Sequence, residues 1–304
     1  MSFATDTKAE LCQVKVEQKS YAVAQAYGVL LYCNTFSANE IRIITASEEF
    51  AQALPRLFRK AFGVTFDKMP SRETKGKKSF LITDREKIRT IFNSFDIDSE
   101  TTLTLHINHG VLEEDGHKIA FIRGAFLAGG SVSDPEKSYH LEMTTSHASV
   151  SREAYSILLD MGFPPKEAKR SGSSMLYYKQ SDAIADFCTW LGAPVTAMKI
   201  INAKVNKDMR NAINRKVNCD SANADKIVAA AHEQIQVIRE IDQEIGLENL
   251  PPKLQAAAFL RIANPSSSIS DLAKLAIPPV SKSTLSYRLN KLMSMKPKST
   301  ETNR

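Results

Sequence analysis

Hydrophobic and polar positions in the first part of the chain follow a regular order of helix and strand periodicities. The segment from Ser20 to Cys33 is apolar on nearly every face, which predicts a helix that is covered all round. Short β-prone stretches and amphipathic helices with polar caps come after it. In order, the pattern predicts a core helix at 20–33, strands at 35–37 and 41–45, a helix capped by Ser47 and running to Lys60, strands at 64–69 and 79–83, and a helix capped by Asp84.

The same order of elements returns after an extended stretch at 101–108. It predicts an apolar helix at 118–128, strands at 131–133 and 140–145, a helix at 149–161, strands near 175–179 and a helix at 181–191. Gly28 matches Gly124 at an offset of 96 residues, and Phe92 matches Phe187 at an offset of 95. We therefore expect two copies of an αββαββα unit, at about 20–95 and 117–192, forming one pseudo-twofold domain over 1–198.

A polar, asparagine-rich stretch at 202–223 follows, and its composition fits either a linker or an arm beside DNA. From Ser221 onward, isoleucine and alanine recur at spacings of three and four until Gly246, which predicts a long amphipathic helix. The linker and this helix occupy 199–248 in the predicted domain organisation.

The last segment, 249–304, predicts an all-α helix-turn-helix domain, so the fold class is α+β. Pro251-Pro252 opens a first helix that Asn264-Pro265 closes, and a second short helix lies at 270–276. Proline at 278 and 279 prevents its continuation, because proline lacks the amide hydrogen. Ser281 then caps a third helix at 282–293, and a short turn between two final helices is typical of a helix-turn-helix.

The third helix has one apolar and one polar arc. Leu285, Leu289 and Leu292 share a face, and the opposite arc centres on Ser283, Tyr287 and Asn290. Hydroxyl and amide side chains read base edges, and cations hold phosphates. The candidate DNA-binding residues are Ser270, Lys274, Ser281, Lys282, Ser283, Thr284, Ser286, Tyr287, Arg288, Asn290 and Lys291.

The distribution of charge along the chain also favours the C-terminal segment as the DNA-binding part. The chain has 40 basic and 34 acidic residues, and 253–304 contains nine basic residues against two acidic ones, whereas 1–202 is balanced at 24 of each. A basic terminal unit on a neutral body is typical of a polyanion-binding protein, although it also fits a merely solvated tail. Further candidate contacts to the DNA backbone are Lys75, Lys77 and Lys78 in a basic hairpin loop, which alone would fit a solvated loop, and Arg210 and Arg215 in the polar stretch.

Composition excludes several classes of protein. With 43% hydrophobic and 24% charged residues, the chain is neither fibrous nor wholly disordered. No window has the roughly 18 apolar residues of a membrane helix, and the charged first residues do not form a signal peptide, so a cytoplasmic protein is expected. Four scattered cysteines predict buried, inert thiols. His106, His109 and His117 lack a completing cysteine or carboxylate, and no metal or cofactor is expected.

The second core helix carries a motif. Ile122 to Val132, Ile-Arg-Gly-Ala-Phe-Leu-Ala-Gly-Gly-Ser-Val, is similar to the signature helix of the LAGLIDADG homing endonucleases, in which two such helices pack together and bring acids to DNA-bound metal ions. The penultimate position of that motif, the metal-binding acid, is Gly129 here, and Cys33 has the matching place in the first copy. Neither supplies a carboxylate, so we expect a degenerate nuclease scaffold without nuclease activity.

Four segments together resemble the WhiA family over essentially the full length: 123–132, 207–219, 241–251 and 281–283. The resemblance implies a bacterial DNA-binding protein, a transcription regulator of sporulation in actinomycetes, with a part in cell division and chromosome segregation in low-GC Gram-positive bacteria. Together with the missing acids and the absence of a signal peptide, the expectation is a non-enzymatic, cytoplasmic and nucleoid-associated protein whose partner is double-stranded DNA.

Two other classes of function remain open at this point. One is a metal-dependent endonuclease of LAGLIDADG type that uses acids other than those at the motif positions. The other is a scaffold that binds a regulatory protein partner. The pattern predicts no oligomeric state.

Overall fold

The computed structural model describes residues 2–71, 76–98 and 104–295. The chain divides into two compact units, Met1–Lys207 and Asp208–Arg304. Among the described residues, none of the helices combines the length and apolar character needed to cross a membrane.

The first unit is a mixed α and β domain. Its helices and strands are α1 Phe3–Leu11, α2 Lys19–Leu31, β1 Thr35–Phe36, β2 Ile41–Thr45, α3 Glu48–Phe62, β3 Lys78–Ile82, α4 Arg85–Asn93, α5 Asp115–Gly129, β4 Gly130–Val132, β5 Leu141–Thr145, α6 Ala148–Asp160, β6 Lys166–Arg170, β7 Ser173–Tyr178 and α7 Ser181–Leu191. A 3₁₀ turn at His109–Val111 precedes α5.

The two core helices, α2 and α5, pack directly against each other at the centre of this unit. Their backbones approach so closely that a Cβ atom on Gly28 would lie 1.9 Å from the carbonyl oxygen of Phe121. A Cβ atom on Gly124 would lie 1.9 Å from the carbonyl oxygen of Gln25. The two contacts match at an offset of 96 residues in both partners, so the pseudo-twofold arrangement of the two copies is confirmed.

Each copy contributes one antiparallel sheet, with strand order β1-β2-β3 in the first and β4-β5-β7-β6 in the second. The central strand pairs correspond: Ile43 pairs with Phe80 in the first sheet, and Met143 pairs with Leu176 in the second. All four side chains are buried in one continuous core with the two central helices. Alternation along each strand places these apolar side chains on one face of its sheet.

Two strand predictions need correction. Residues 64–69 do not form a strand with β3; the only pairing there among the described residues is an isolated bridge between Lys68 and Leu81. Strand β6 was not predicted, because its sequence, Lys-Glu-Ala-Lys-Arg, has no apolar alternation. As the edge of a sheet it needs no buried face, and its charges protect that edge from pairing with another chain.

The polar stretch at 202–223, expected as a linker or an arm beside DNA, is helical. One helix, α8 Pro194–Ile245, replaces both the linker and the separate helix expected to begin at Ser221. Its first turns bury Ala197 and Ile200 in the first unit. Residues 208–230 are exposed throughout, which is why they carry polar asparagine, lysine and aspartate side chains without breaking the helix.

The second unit contains the end of α8, a 3₁₀ turn at Leu247–Asn249, and three short helices: α9 Pro252–Ala263, α10 Ile269–Leu275 and α11 Lys282–Ser294. Its own core joins apolar side chains of all four helices, including Ile238, Leu254, Leu272 and Leu289. The three-helix prediction for this segment is therefore confirmed, and Gly246 ends α8 with a positive φ as expected.

Candidate nucleic-acid interface

The third helix of the second unit, α11, has the two faces expected of a recognition helix. Leu285, Leu289 and Leu292 are each only 1% exposed and fix the helix against α9 and α10. On the opposite side Tyr287 is 66% exposed, and Asn290 is also exposed. Because the apolar arc is fully used in packing, the polar arc is the surface that α11 presents to a ligand.

The start of α11 is a cluster of three hydroxyl groups. The Ser281 Oγ accepts a hydrogen bond from the backbone amide of Thr284 at 3.1 Å. The same oxygen lies 2.9 Å from the Ser283 Oγ and 2.8 Å from the Thr284 Oγ1. Ser281 thus caps the helix and holds the neighbouring hydroxyls in place. Its structural role is to orient the residues that follow it.

The other candidates in this unit differ in exposure. Lys274, Lys282 and Lys291 are exposed, whereas Ser270, Ser286 and Arg288 are half-buried. The short helix α10 is capped by Ser268, whose Oγ accepts from the Asp271 amide at 3.2 Å. The spacing Ser268-x-x-Asp271 is a capping-box pattern that would have identified this cap from sequence.

One basic residue of this unit does not face a ligand. Arg261 is 2% exposed and donates from Nη1 to the carbonyl oxygen of Ser267 at 2.8 Å. Burial lowers the pKa of its guanidinium. Arg261 therefore holds the loop between α9 and α10, and it has to be removed from the nine basic residues counted toward a polyanion-binding surface.

The basic hairpin loop provides fewer contacts than expected. Lys75 lies outside the described residues, and Lys77 is exposed. Lys78 is 6% exposed and forms an ion pair with Glu48. The prediction of a DNA contact for Lys78 is therefore wrong. Lys78 is the first residue of β3, and its side chain lies on the buried face of that strand.

Arg210 and Arg215 are both exposed on α8. Five positions on an α-helix correspond to a rotation of about 140°, so the two side chains leave the helix on different sides. The Arg215 Nε donates to the carbonyl oxygen of Asn211 at 3.3 Å. The structure does not bring these two cations together into one patch.

The two motif positions lie at the ends of α2 and α5. The Cys33 thiol donates to the carbonyl oxygens of Leu30 and Thr35 at 3.1 Å each, and burial raises its pKa to about 12. A Cβ atom on Gly129 would lie 2.4 Å from the carbonyl oxygen of Thr144. A protonated thiol and a missing side chain do not fit a pair of divalent cations, which require carboxylate oxygens.

Histidine and cysteine do not form a further site. The His106 Nδ1 lies 2.6 Å from the Glu153 Oε1, whereas the His117 ring packs beside Tyr21 with ring centroids 4.8 Å apart. Within the described ranges there is no group of three or more residues with metal-ligating side chains. Burial raises the thiol pKa of Cys12 and Cys188 to about 12, as for Cys33. These three thiols are therefore protonated at neutral pH, whereas Cys219 is exposed.

Comparison with known proteins covers both units. A model described as the WhiA C-terminal HTH domain matches residues 213–296, and a model described as the WhiA LAGLIDADG-like domain matches residues 118–210. A protein of Ruminiclostridium cellulolyticum named "Probable cell division protein WhiA" is 34% identical over 300 residues, which cover 96% of each chain. The chain belongs to the WhiA family. A WhiA of the same name from Clostridium botulinum is 33% identical over 306 residues, again with 96% of each chain covered.

Solved structures give the WhiA fold. The crystal structure of a full-length WhiA from Thermatoga maritima matches with a TM-score of 0.59 at 21% identity, and the match covers 97% of this chain and 98% of that one. The family model for the LAGLIDADG-like domain begins at residue 118, after the first copy of the repeat. The symmetric contacts of Gly28 and Gly124 extend the LAGLIDADG-like architecture to that first copy.

Proposed function

We propose that this WhiA-family protein is a non-enzymatic regulator of cell division that binds double-stranded DNA through its helix-turn-helix unit. The observation that carries the proposal is the exposed polar arc of α11, whose apolar arc is completely buried. The family model for a helix-turn-helix domain matches this same segment. We infer cell division as the regulated process from the names of the relatives, which refer to it.

In this proposal α11 lies in the major groove. Tyr287 and Asn290 contact base edges, because amide and hydroxyl groups form hydrogen bonds with them. Lys282, Arg288 and Lys291 contact phosphates and fix the register of the helix on the duplex. The regulated step is transcription, with sporulation and chromosome segregation as the processes implied for relatives.

The first test measures binding of the full chain to a DNA site obtained by selection from a random library. Asn290→Ala or Tyr287→Ala is expected to weaken specific binding by about 1–3 kcal/mol while leaving nonspecific binding nearly unchanged. Arg288→Ala is expected to weaken binding to all sequences alike and to flatten the dependence on salt by about one unit of slope. Fluorescence anisotropy at several salt concentrations gives both quantities.

The matched control is Lys19→Ala, which removes an exposed cation from the first unit. It should leave specific affinity and the salt slope unchanged. Equal losses in Lys19→Ala and Arg288→Ala, or specific binding that survives both α11 substitutions, would contradict the proposal. Crosslinking of the tagged protein to chromosomal DNA in cells tests its expected place in the cytoplasm with the nucleoid.

The absence of cleavage in this proposal is supported by the motif positions. A thiol at Cys33 and a glycine at 129 supply no carboxylate for the cations that stabilise attacking and leaving oxygens. We expect supercoiled plasmid to stay intact when it is incubated with the protein and magnesium or manganese. Nicking that a chelator abolishes would favour the endonuclease alternative.

A further inference from the structure

An apolar groove of about 650 Å³ in the second unit is lined by α9, by the segment 275–280 and by α11. Its walls carry some of the most exposed large apolar side chains of the unit: Phe259 is 54% exposed, Leu275 is 52% exposed and Ile277 is 99% exposed. All three line the groove. Contiguous exposed apolar surface of this kind is typical of a site at which another molecule binds.

The fold of the unit does not require these side chains. The core face of α9 consists of Leu254, Ala257 and Ala258, which are all buried. On another face of α9, the exposed residues Lys253, Ala256, Phe259 and Ala263 follow one another at spacings of three and four, so small residues alternate with large ones. Small residues that lie between bulky ones leave a depression into which apolar side chains of another molecule can enter.

The charge around the groove has one sign. Its lining contains two cations, Lys253 and Arg288, and no acidic residue. Among the described residues of 253–295, five cations that are not buried, Lys253, Lys274, Lys282, Arg288 and Lys291, stand against one acidic residue, Asp271, so a second copy of this unit would be repelled. Phosphates and sugars have no polar partners on the apolar walls, so nucleic acid does not fit the groove either.

We propose that the groove binds an amphipathic helix of a partner protein that inserts apolar side chains between Phe259, Leu275 and Ile277 and places acidic residues against Lys253. A helix in an apolar groove is held by anchors at successive turns of one face. The volume lies within the range of ordinary ligand pockets, about 300–1,000 Å³. The apolar anchors Phe259, Leu275 and Ile277 are not among the proposed DNA contacts. Arg288 lines the groove and is such a contact, so the test leaves Arg288 unchanged.

The test uses the full chain and synthetic helical peptides. The probe peptide has leucines on one face and glutamates on both flanks; one control peptide has lysines in place of the glutamates, and another has the leucines scattered around the helix. We expect the glutamate peptide to bind, with at least about tenfold preference over either control. Phe259→Ser and Ile277→Ser should each reduce its affinity about tenfold or more.

Val228→Ser is the matched control, because Val228 is 54% exposed on α8 and does not line the groove. It should leave peptide binding unchanged. Lys253→Glu should shift the preference toward the lysine peptide, and glutamate in the first turn of α9 is favourable for the helix. Thermal unfolding of each variant checks that the unit remains folded.

Several results would overturn the inference: no binding of the glutamate peptide, equal binding of the glutamate and lysine peptides, or equal losses in Ile277→Ser and Val228→Ser. Self-association that Ile277→Ser abolishes would also overturn it, since the occupant would then be a second copy. DNA affinity is measured separately for the same variants. A failure of the DNA-binding proposal therefore leaves the peptide result interpretable.

Discussion

Two glycines determine how closely the central helices of the first unit approach. Gly28 and Gly124 each lie opposite a backbone carbonyl of the other helix, with no space for a methyl group. Small residues at such a crossing permit backbone contact, and the surrounding core is too densely packed to yield. The pseudo-twofold domain is therefore specified at this point by two single residues.

Gly124→Ala is expected to destabilise the first unit by about 3 kcal/mol or more, because the added Cβ would collide with the Gln25 carbonyl oxygen. Urea unfolding followed by circular dichroism measures the loss. Gly110→Ala is the control, since its Cβ would meet only the side chain of Asn108 in an exposed turn. Equal stability of the wild-type and Gly124→Ala chains would contradict the close packing.

Asp67 makes stability depend on pH. Partial burial opposes its ionisation, but the Lys87 ammonium and the amides of Thr83 and Asp84 outweigh it and lower the pKa of Asp67 from 3.8 to about 2. The ionised form is thus favoured by folding. The contribution of the Asp67 carboxylate to the free energy of unfolding is complete above pH 4 and is lost as pH falls toward 2.

We therefore expect Asp67→Asn to be less stable than the wild type at pH 5, with a difference that shrinks as pH falls from 4 to 2. Urea unfolding at a series of pH values measures it. A difference that stays constant with pH would show that the carboxylate contributes through its shape alone.

At the scale of elements, α8 is unusual because its middle is exposed along more than twenty residues. Residues 208–230 are exposed, whereas Val237, Ile238 and Ile241 near its end are buried in the second core. Helices without packing are marginal in water, since most helical stability comes from a buried face. The helix therefore has segments of very different local stability.

Hydrogen exchange of the full chain should show this difference. Backbone amides at 211–230 are expected to exchange at least about tenfold faster, relative to their intrinsic rates, than those at 234–241. Mass spectrometry of peptides from the exchanged protein resolves the two segments. Uniform protection along α8 would mean that some other contact stabilises its middle.

At the scale of the whole molecule, the chain has two separate hydrophobic cores. One contains α2, α5 and both sheets, and the other contains the end of α8 with α9, α10 and α11. Because no buried residue belongs to both clusters, the two cores are expected to unfold in separate transitions.

Leu289→Ala tests this expectation. Removing a buried leucine costs about 2–5 kcal/mol, so the variant should lower the transition of the second unit alone. Gly124→Ala should lower the other transition. Calorimetry gives both, and a single transition that shifts as a whole in either variant would show that the units unfold together.

Much of this architecture follows from sequence, because helices α2, α5, α7, α9 and α11 have strong apolar patterns, and Ser281 also caps α11. Ser47 caps α3 as predicted, with its Oγ accepting from the Phe50 amide at 3.3 Å. The helical structure of 202–220 in α8 could not be predicted, because its side chains are mostly exposed and its apolar pattern is interrupted. Strand β6 has the same difficulty, since charged residues occupy both of its faces.

The site was only partly predictable. The two arcs of α11 follow directly from the spacing of its leucines. A run of basic residues does not reveal which of them turns inward, and for that reason Lys78 and Arg261 were counted as surface charges although both are buried. The groove beside α9 depends on how three helices meet, and no local pattern encodes that.

The strand beside Gly129 has a consequence for attempts to engineer or evolve cleavage in this scaffold. Any side chain at that position would collide with the carbonyl oxygen of Thr144 in β5. A single codon change to aspartate therefore cannot create half of a metal-binding pair. Strand β5 would have to move away from the end of α5 first, so a metal-binding acid at this position requires several coordinated mutations.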